Sequence, residues 1–504
     1  MTNFIFSFIR SGAGVLISRV FGLIRDVAIG VVFGATAVTD VFFVALAIPN
    51  LFREFFVEGA MSSAFMPFLA EKYKNGGKTA QNLYLTQIVI MQTFFVTVIS
   101  IIIMVFADYV LRIFLRGKDY LSDTALMSMG ADLIHIMMPF LILICIIGMF
   151  SGFLNINRSY FISYASSALF NICMILGAWA AYHNSKDITY LAYGVIAGCV
   201  LQLVIVYLVA VYYGYKPKFS KTFDEDVKKT YFLLVPSLAG VSISQLNFVI
   251  GRILTSYLAQ GSISWLFYAS RLFQFPLGVF SVTLGVVSLT ELSKARADND
   301  IVRRNQIINK AFLSLFIIII PATIGLIGLS TELIRFVFQD LSSFFLHRTS
   351  AFSNESVIKT SIALKMYASG LIFFSLANLL TRVFHSEKNT KTPVKCAFFA
   401  FLANVMLSLI LMQFLAHAGI ALAGALSAVV NSLLLLYHIK DFKFDLKNNA
   451  QILVKVLFAN ILMCIVLVLC QYAGIYVLIN ILLCIIVYFM VLKIMKINIL
   501  RLLR

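Results

Sequence analysis

Apolar residues run through the chain in long blocks, broken at intervals by short stretches rich in Lys, Arg, Gly and Asn. The blocks last about 20 residues or more, the length a helix needs to cross a hydrocarbon core. They lack the strict apolar–polar alternation of a barrel strand, so helix is the remaining way to satisfy backbone groups without water. The pattern predicts fourteen spans, near residues 12–34, 38–66, 83–111, 127–154, 159–182, 189–213, 229–258, 262–291, 307–330, 357–384, 393–415, 419–438, 451–472 and 475–495. The expected fold is an all-α polytopic membrane protein.

Composition agrees. Of 504 residues, 61% are hydrophobic and 12% charged, with a mean hydropathy of +0.95. Soluble domains carry about 25% charged residues, so an ordinary soluble enzyme and a disordered chain are both excluded. Lys+Arg 40 against Asp+Glu 22 gives +18. The excess sits in alternate loops, including Lys72/Lys74/Lys78, Arg158, Lys216/Lys218/Lys221 and Arg501/Arg504. The opposite loops hold Arg116, Lys118, Lys186, Arg335, Arg348 and Lys359. Positive loops stay in the cytoplasm, so both termini are expected there. This accounts for the charge without nucleic acid, for which there is neither an arginine-rich arm nor an aromatic platform. The seven cysteines lie within apolar runs without metal-ligand spacing, and predict neither disulfides nor a metal site. Arg10 interrupts the first apolar stretch, which therefore does not read as a cleavable signal.

An internal repeat is visible. Phe21, Arg25, Gly34 and Pro49 recur at the same spacing as Phe248, Arg252, Gly261 and Pro276. The copies lie on spans one–two and seven–eight, six spans apart and therefore in the same orientation. Parallel repeats of this kind build transporters.

Ionisable residues inside spans mark function, because each is costly in hydrocarbon. Spans one and two carry Arg19, Arg25, Asp26, Asp40, Arg53, Glu54 and Glu58, and span eight carries Arg271. At 100° per residue, Arg19 and Asp26 lie about 20° apart and share a face, while Arg25 points elsewhere. Pro49-Asn50 should break the second helix one turn before Arg53. Arginine's planar fork suits phosphate, so Arg19, Arg25, Arg53 and Arg271 are candidate ligands for a phosphate or diphosphate. The competing reading is that Arg19–Asp26 and Arg53–Glu58 are structural ion pairs. His135, one turn from Asp132, reads as a core histidine in preference to a proton relay.

As a set these residues resemble the MurJ (MviN) lipid II flippases. The resemblance rests on Ser18-Arg19-Val20-Phe21-Gly22-Leu23-Ile24-Arg25-Asp26, Phe33-Gly34-Ala35, Thr39-Asp40-Val41-Phe42-Phe43, Ile48-Pro49-Asn50-Leu51-Phe52-Arg53 and Glu58-Gly59-Ala60. It continues in Gly261-Ser262-Ile263-Ser264, Tyr268-Ala269-Ser270-Arg271-Leu272 and Pro276-Leu277-Gly278, and in Asn389-Thr390-Lys391-Thr392-Pro393. It implies two six-helix lobes, 1–215 and 216–440, related by the parallel pseudo-repeat, with 441–504 adding two helices that form a groove for a polyprenyl tail. The implied substrate is lipid II, carried from the inner to the outer leaflet of the bacterial cytoplasmic membrane by alternating access. By position, Arg19, Arg25, Arg53 and Arg271 would bind its headgroup, and Asp26, Asp40, Asn50 and Glu58 would shape the cavity or act in gating. The span-seven acid through which some relatives hold sodium corresponds to Gly251, with Asn378 as a remaining oxygen donor. No cofactor is therefore expected, and membrane potential is the expected bias in place of sodium. Expected partners are lipid II, membrane lipids and the cell-wall synthesis machinery, with the protein acting as a monomer. The rival readings are a flippase for another polyprenyl-diphosphate glycan and a drug or cation antiporter of the same superfamily. An enzyme is not expected, since HExxH, GxSxG and P-loop motifs are all lacking.

Overall fold

The computed structural model describes residues 2–58, 60–157, 159–220, 222, 224–341, 350–439 and 445–497. Arg158, Lys221, Arg348, Arg501 and Arg504 lie outside them, as do the side chains of Arg10 and Glu58. Every predicted span falls on helix, and no strand occurs among the described residues. In chain order the helices are α1 Thr2–Phe33, α2 Ala37–Arg53, α3 Ala60–Val105, α4 Ala107–Phe114, α5 Lys118–Leu121, α6 Thr124–Met137 and α7 Pro139–Ile156. They continue as α8 Tyr160–Ala165, α9 Ser167–His183, α10 Thr189–Tyr212, α11 Glu225–Ser256, α12 Ser262–Pro276, α13 Val282–Ala297 and α14 Ile301–Gly328. The remainder are α15 Ser330–Arg335, α16 Asn354–Ser369, α17 Leu371–Ser386, α18 Lys391–His438, α19 Leu446–Tyr472 and α20 Val477–Ile494.

Nine helical stretches among the described residues are long and apolar enough to span a membrane alone, or ten with α16 and α17 joined across their 44° bend. The first, second and seventh expected spans, which fall on α1, α2 and α11, are not among these stretches. The eleventh and twelfth run together in α18, which turns at Ala416 (φ 48°).

Packing divides the chain into two compact units, residues 1–264 with 350–352, and residues 265–349 with 353–504. In the first, α3, α7, α10 and α11 enclose Phe65, Leu69, Tyr84, Ile88, Phe150, Phe153 and Val206. Gly77 (φ 61°, ψ −160°) turns α3 midway, a conformation that favours glycine. In the second unit, Ile317 of α14 packs with Val456, Ala459, Met463, Leu467, Cys484 and Tyr488 of α19 and α20.

The repeat has a backbone counterpart. α1 and α11, which carry Arg25 and Arg252, are each followed by a positive-φ glycine, Gly34 (φ 70°) and Gly261 (φ 95°). Each glycine precedes a helix bearing a proline, Pro49 or Pro276, and each such helix passes into a π-helical turn, Glu54–Glu58 or Leu277–Ser281. A proline lacks the N–H that would continue the ladder and crowds the preceding turn, and the wider π turn absorbs the mismatch. Gly34 is also a close approach, since a Cβ there would sit 2.5 Å from the Ala351 carbonyl oxygen.

Candidate substrate site

The four predicted arginines meet different fates. Arg19 lies on an exposed face of α1, with no hydrogen bond or ion pair to a described residue. Arg25, 14% exposed at its side chain, is held on one side by Asp26, whose Oδ1 accepts from its Nε at 3.0 Å and its Nη2 at 2.7 Å. On the other side its Nη1 donates to Asn171 Oδ1 of α9 at 2.9 Å. Asn171 returns a bond to the Ser18 carbonyl at 3.3 Å, and Ser18 and Ser167 share a hydroxyl contact at 2.6 Å. This polar seam fastens α1 to α9. The acid expected to pair with Arg19 is therefore taken by Arg25. Adjacent residues diverge by about 100° at Cα, but a long guanidinium stem reaches back around the helix to its neighbour.

Arg53 is half-buried, with its Nη2 3.8 Å from the Glu54 carboxylate. The expected partner Glu58 ends the π turn, with its side chain outside the described residues. Asn50 turns its amide back to the Leu46 carbonyl at 2.8 Å. In the second unit, Arg271 is half-buried with its guanidinium 4.5 Å from the Phe267 ring centroid, a cation–π contact.

Asp40 is fully buried and fully satisfied. Its Oδ2 accepts from the Tyr120 hydroxyl and the Gly261 amide, both at 2.5 Å. Its Oδ1 accepts from the Ser264 amide at 2.7 Å and lies 2.6 Å from the Ser264 hydroxyl. The carboxylate thus caps the first turn of α12 from a different helix, where free N–H groups and the helix dipole favour an anion. It is a clasp between α2 and residues 261–264, with Tyr120 closing it. Neither Tyr120 nor Asn171 stands out in the sequence, because each acquires its role only from what packs beside it.

A second set, also illegible from sequence, fastens the connection after α10 and the first turn of α11 to α3. Lys72, between the second and third expected spans, places its Nζ 2.6 Å from Asp224 and 2.8 Å from Asp226. Gln87 brackets the connection, donating to the Thr222 carbonyl at 2.8 Å and accepting from the Asp224 amide at 2.9 Å. Asn82 donates to the Gly214 carbonyl at 3.0 Å. Burial alone would pull Lys72 down, but hydrogen bonds and charge from the two aspartates outweigh it and raise its pKa. Hydrogen bonds from Lys229 and then Lys72 hold Asp226 below its usual value. His135, expected in the core, is exposed and lies 2.9 Å from the Met104 carbonyl.

The family described as lipid II flippase MurJ matches residues 29–493. The probable lipid II flippase MurJ of Haemophilus influenzae is 31% identical over 465 residues, covering 89% of each chain. This chain belongs to the lipid II flippase MurJ family. The lipid II flippase MurJ of Burkholderia cenocepacia is 30% identical over 428 residues, 83% of this chain and 80% of its own. A solved lipid II flippase MurJ in an inward closed conformation has a TM-score of 0.82 at 27% identity, covering 97% of this chain and 98% of its own. An inward-facing multidrug resistance MATE transporter, at 13% identity and a TM-score of 0.69, covers 86% of this chain and 97% of its own, and shares the fold alone. The protein is accordingly a lipid II flippase, a multi-pass transporter of the bacterial inner membrane.

Proposed function

We propose that the diphosphate of lipid II is engaged during transport by Arg19, Arg25, Arg53 and Arg271, and that the headgroup crosses by alternating access. The observation that carries this reading is Arg19, an exposed arginine within an apolar helix that has no counter-ion among the described residues. A guanidinium kept in a span at that cost calls for an anionic ligand. Arg25, already neutralised by Asp26, then serves mainly to hold α1 in place until substrate competes for it. Asp40 acts as a gate clasp, and Asp26, Asn50 and Glu58 shape the path of the headgroup. The polyprenyl tail follows the last two helices, within 441–504, while residues 1–215 and 216–440 act as the two lobes. Both termini face the cytoplasm, and lipid II is moved from inner to outer leaflet. Membrane potential, worth about 2.3 kcal/mol per charge per 100 mV, biases the cycle without a resident cofactor or sodium. The protein works as a monomer alongside the cell-wall synthesis machinery.

The test uses cells in which this chain is the sole flippase. Lipid II accessible to an impermeant outer-leaflet hydrolase is measured before and after expression is shut off, for wild type, Arg19→Ala and Arg271→Ala. Accessible lipid II should fall on shut-off, and both variants should behave like shut-off at normal membrane abundance. Unchanged accessibility in the variants would remove the arginines from the headgroup site, and loss of folded protein would make them structural.

A further inference from the structure

Pro321 interrupts α14 and supplies no N–H to the carbonyl four residues before it, that of Ile317. That oxygen is buried among apolar side chains, where an unsatisfied carbonyl is expensive. The Tyr488 hydroxyl of α20 donates to it at 2.6 Å. Tyr488 is itself 2% exposed, so its hydroxyl also requires a partner. A phenylalanine would fill the same volume; the hydroxyl answers the gap left by the proline.

Other polar ties from α14 and α15 reach α19. Asn309 Oδ1 accepts from the Asp445 amide at 3.1 Å and Asn449 Nδ2 at 3.3 Å. Gln471 Nε2 donates to the Gly328 carbonyl and to Glu332, both at 2.9 Å. α20 is tied to α14 by Tyr488, midway along both helices. Other faces of α20 expose Leu482, Ile486 and Phe489.

We propose that Tyr488 is a positioning residue for the lipid tail: its hydroxyl replaces the amide that Pro321 lacks and sets the register of α20 on α14. Apolar contact is non-directional, so a buried hydrogen bond adds a fixed point that favours one register, as Asn480 does for α20 on α19 through the Leu467 carbonyl at 3.3 Å. The register determines which apolar side chains line the path of a polyprenyl chain. The proposal rests on the reading that the last two helices guide the tail.

The test is a cycle of Tyr488→Phe, Pro321→Ala and the double variant, read in two ways on purified full-length protein. The first reading is thermal unfolding in detergent. Tyr488→Phe should lower the midpoint when Pro321 is present. In the Pro321→Ala background it should leave the midpoint unchanged, because the restored amide can satisfy Ile317. Equal losses in both backgrounds overturn the proline–tyrosine pairing. The second reading is transfer of lipid II bearing full-length or short prenyl chains across proteoliposomes. Tyr488→Phe should slow the full-length substrate by roughly threefold to tenfold, the worth of one net hydrogen bond, spare the short one, and recover in the double variant. Equal slowing of both chain lengths overturns the positioning role. If wild type itself moves both chain lengths alike, the tail reading fails, and the unfolding cycle still judges the pairing.

Discussion

Arg19 and Arg25 lie on one helix six residues apart, yet one is exposed without a counter-ion among the described residues and the other is locked between Asp26 and Asn171. Both were legible as arginines in an apolar span. Which of them takes the carboxylate was not, because that depends on a neighbour from α9 and on side-chain reach. Asp40 carries the same lesson. The family resemblance implied a cavity or gating role for it, whereas its four donors come from Tyr120, Gly261 and Ser264, far away in sequence. Replacing it leaves those donors buried without an acceptor. Asp40→Ala should therefore destabilise the protein by about 2–4 kcal/mol, measured as the shift in unfolding midpoint against wild type. Asp40→Asn, which keeps one acceptor oxygen, should lose less. An Asp40→Ala variant as stable as wild type would show that the clasp does not hold α2 to residues 261–264.

At the scale of elements, the proline–π combination follows from local chemistry and recurs in both repeat copies. Pro49 and Pro276 each precede a π turn, Glu54–Glu58 and Leu277–Ser281. A break at Pro49 was expected from sequence. Its form, a π turn following the proline-bearing helix, was not. The Lys72 clasp between α3 and α11 belongs to this scale too, and it has a defined pH dependence. Asp226 is held below its ordinary 3.8, so its contribution is present above that value and is lost as pH falls through the lowered one. Lys72 is held above its ordinary 10.5, so its contribution persists below that value and is lost as pH rises through the raised one. Protection from hydrogen exchange at the described residues of 213–226, taken relative to the intrinsic rate at each pH, should therefore stay flat between these limits and fall in acid below the carboxylate range. Lys72→Met should bring fast exchange to neutral pH. Exchange already fast at neutral pH in the wild type would show that the clasp does not hold this segment.

At the scale of the molecule, the charge bias of the loops makes a topological prediction. Lys74 and Lys118 are both exposed, and they fall on opposite sides of the membrane if the basic loops are cytoplasmic. In intact cells an impermeant thiol reagent should label Lys118→Cys directly and Lys74→Cys only after permeabilisation. The reverse pattern would invert the protein and the direction of flipping inferred from it. The sequence by itself determined that the chain is helical and membrane-spanning, where its helices lie, that it repeats in parallel, and that charged groups persist within its apolar spans. These follow from short-range rules: hydrocarbon admits closed hydrogen-bond ladders, proline breaks them, and a charge in a span is costly wherever the chain goes. Only the tertiary structure decided which partner each polar group takes. Asp26 goes to Arg25, Asp40 to the first turn of α12, Lys72 to the aspartates at the start of α11, and Tyr488 to the carbonyl that Pro321 leaves open. Buried polar groups must be satisfied by whatever packs within about 3 Å of them, and that neighbourhood is assembled from helices remote along the chain.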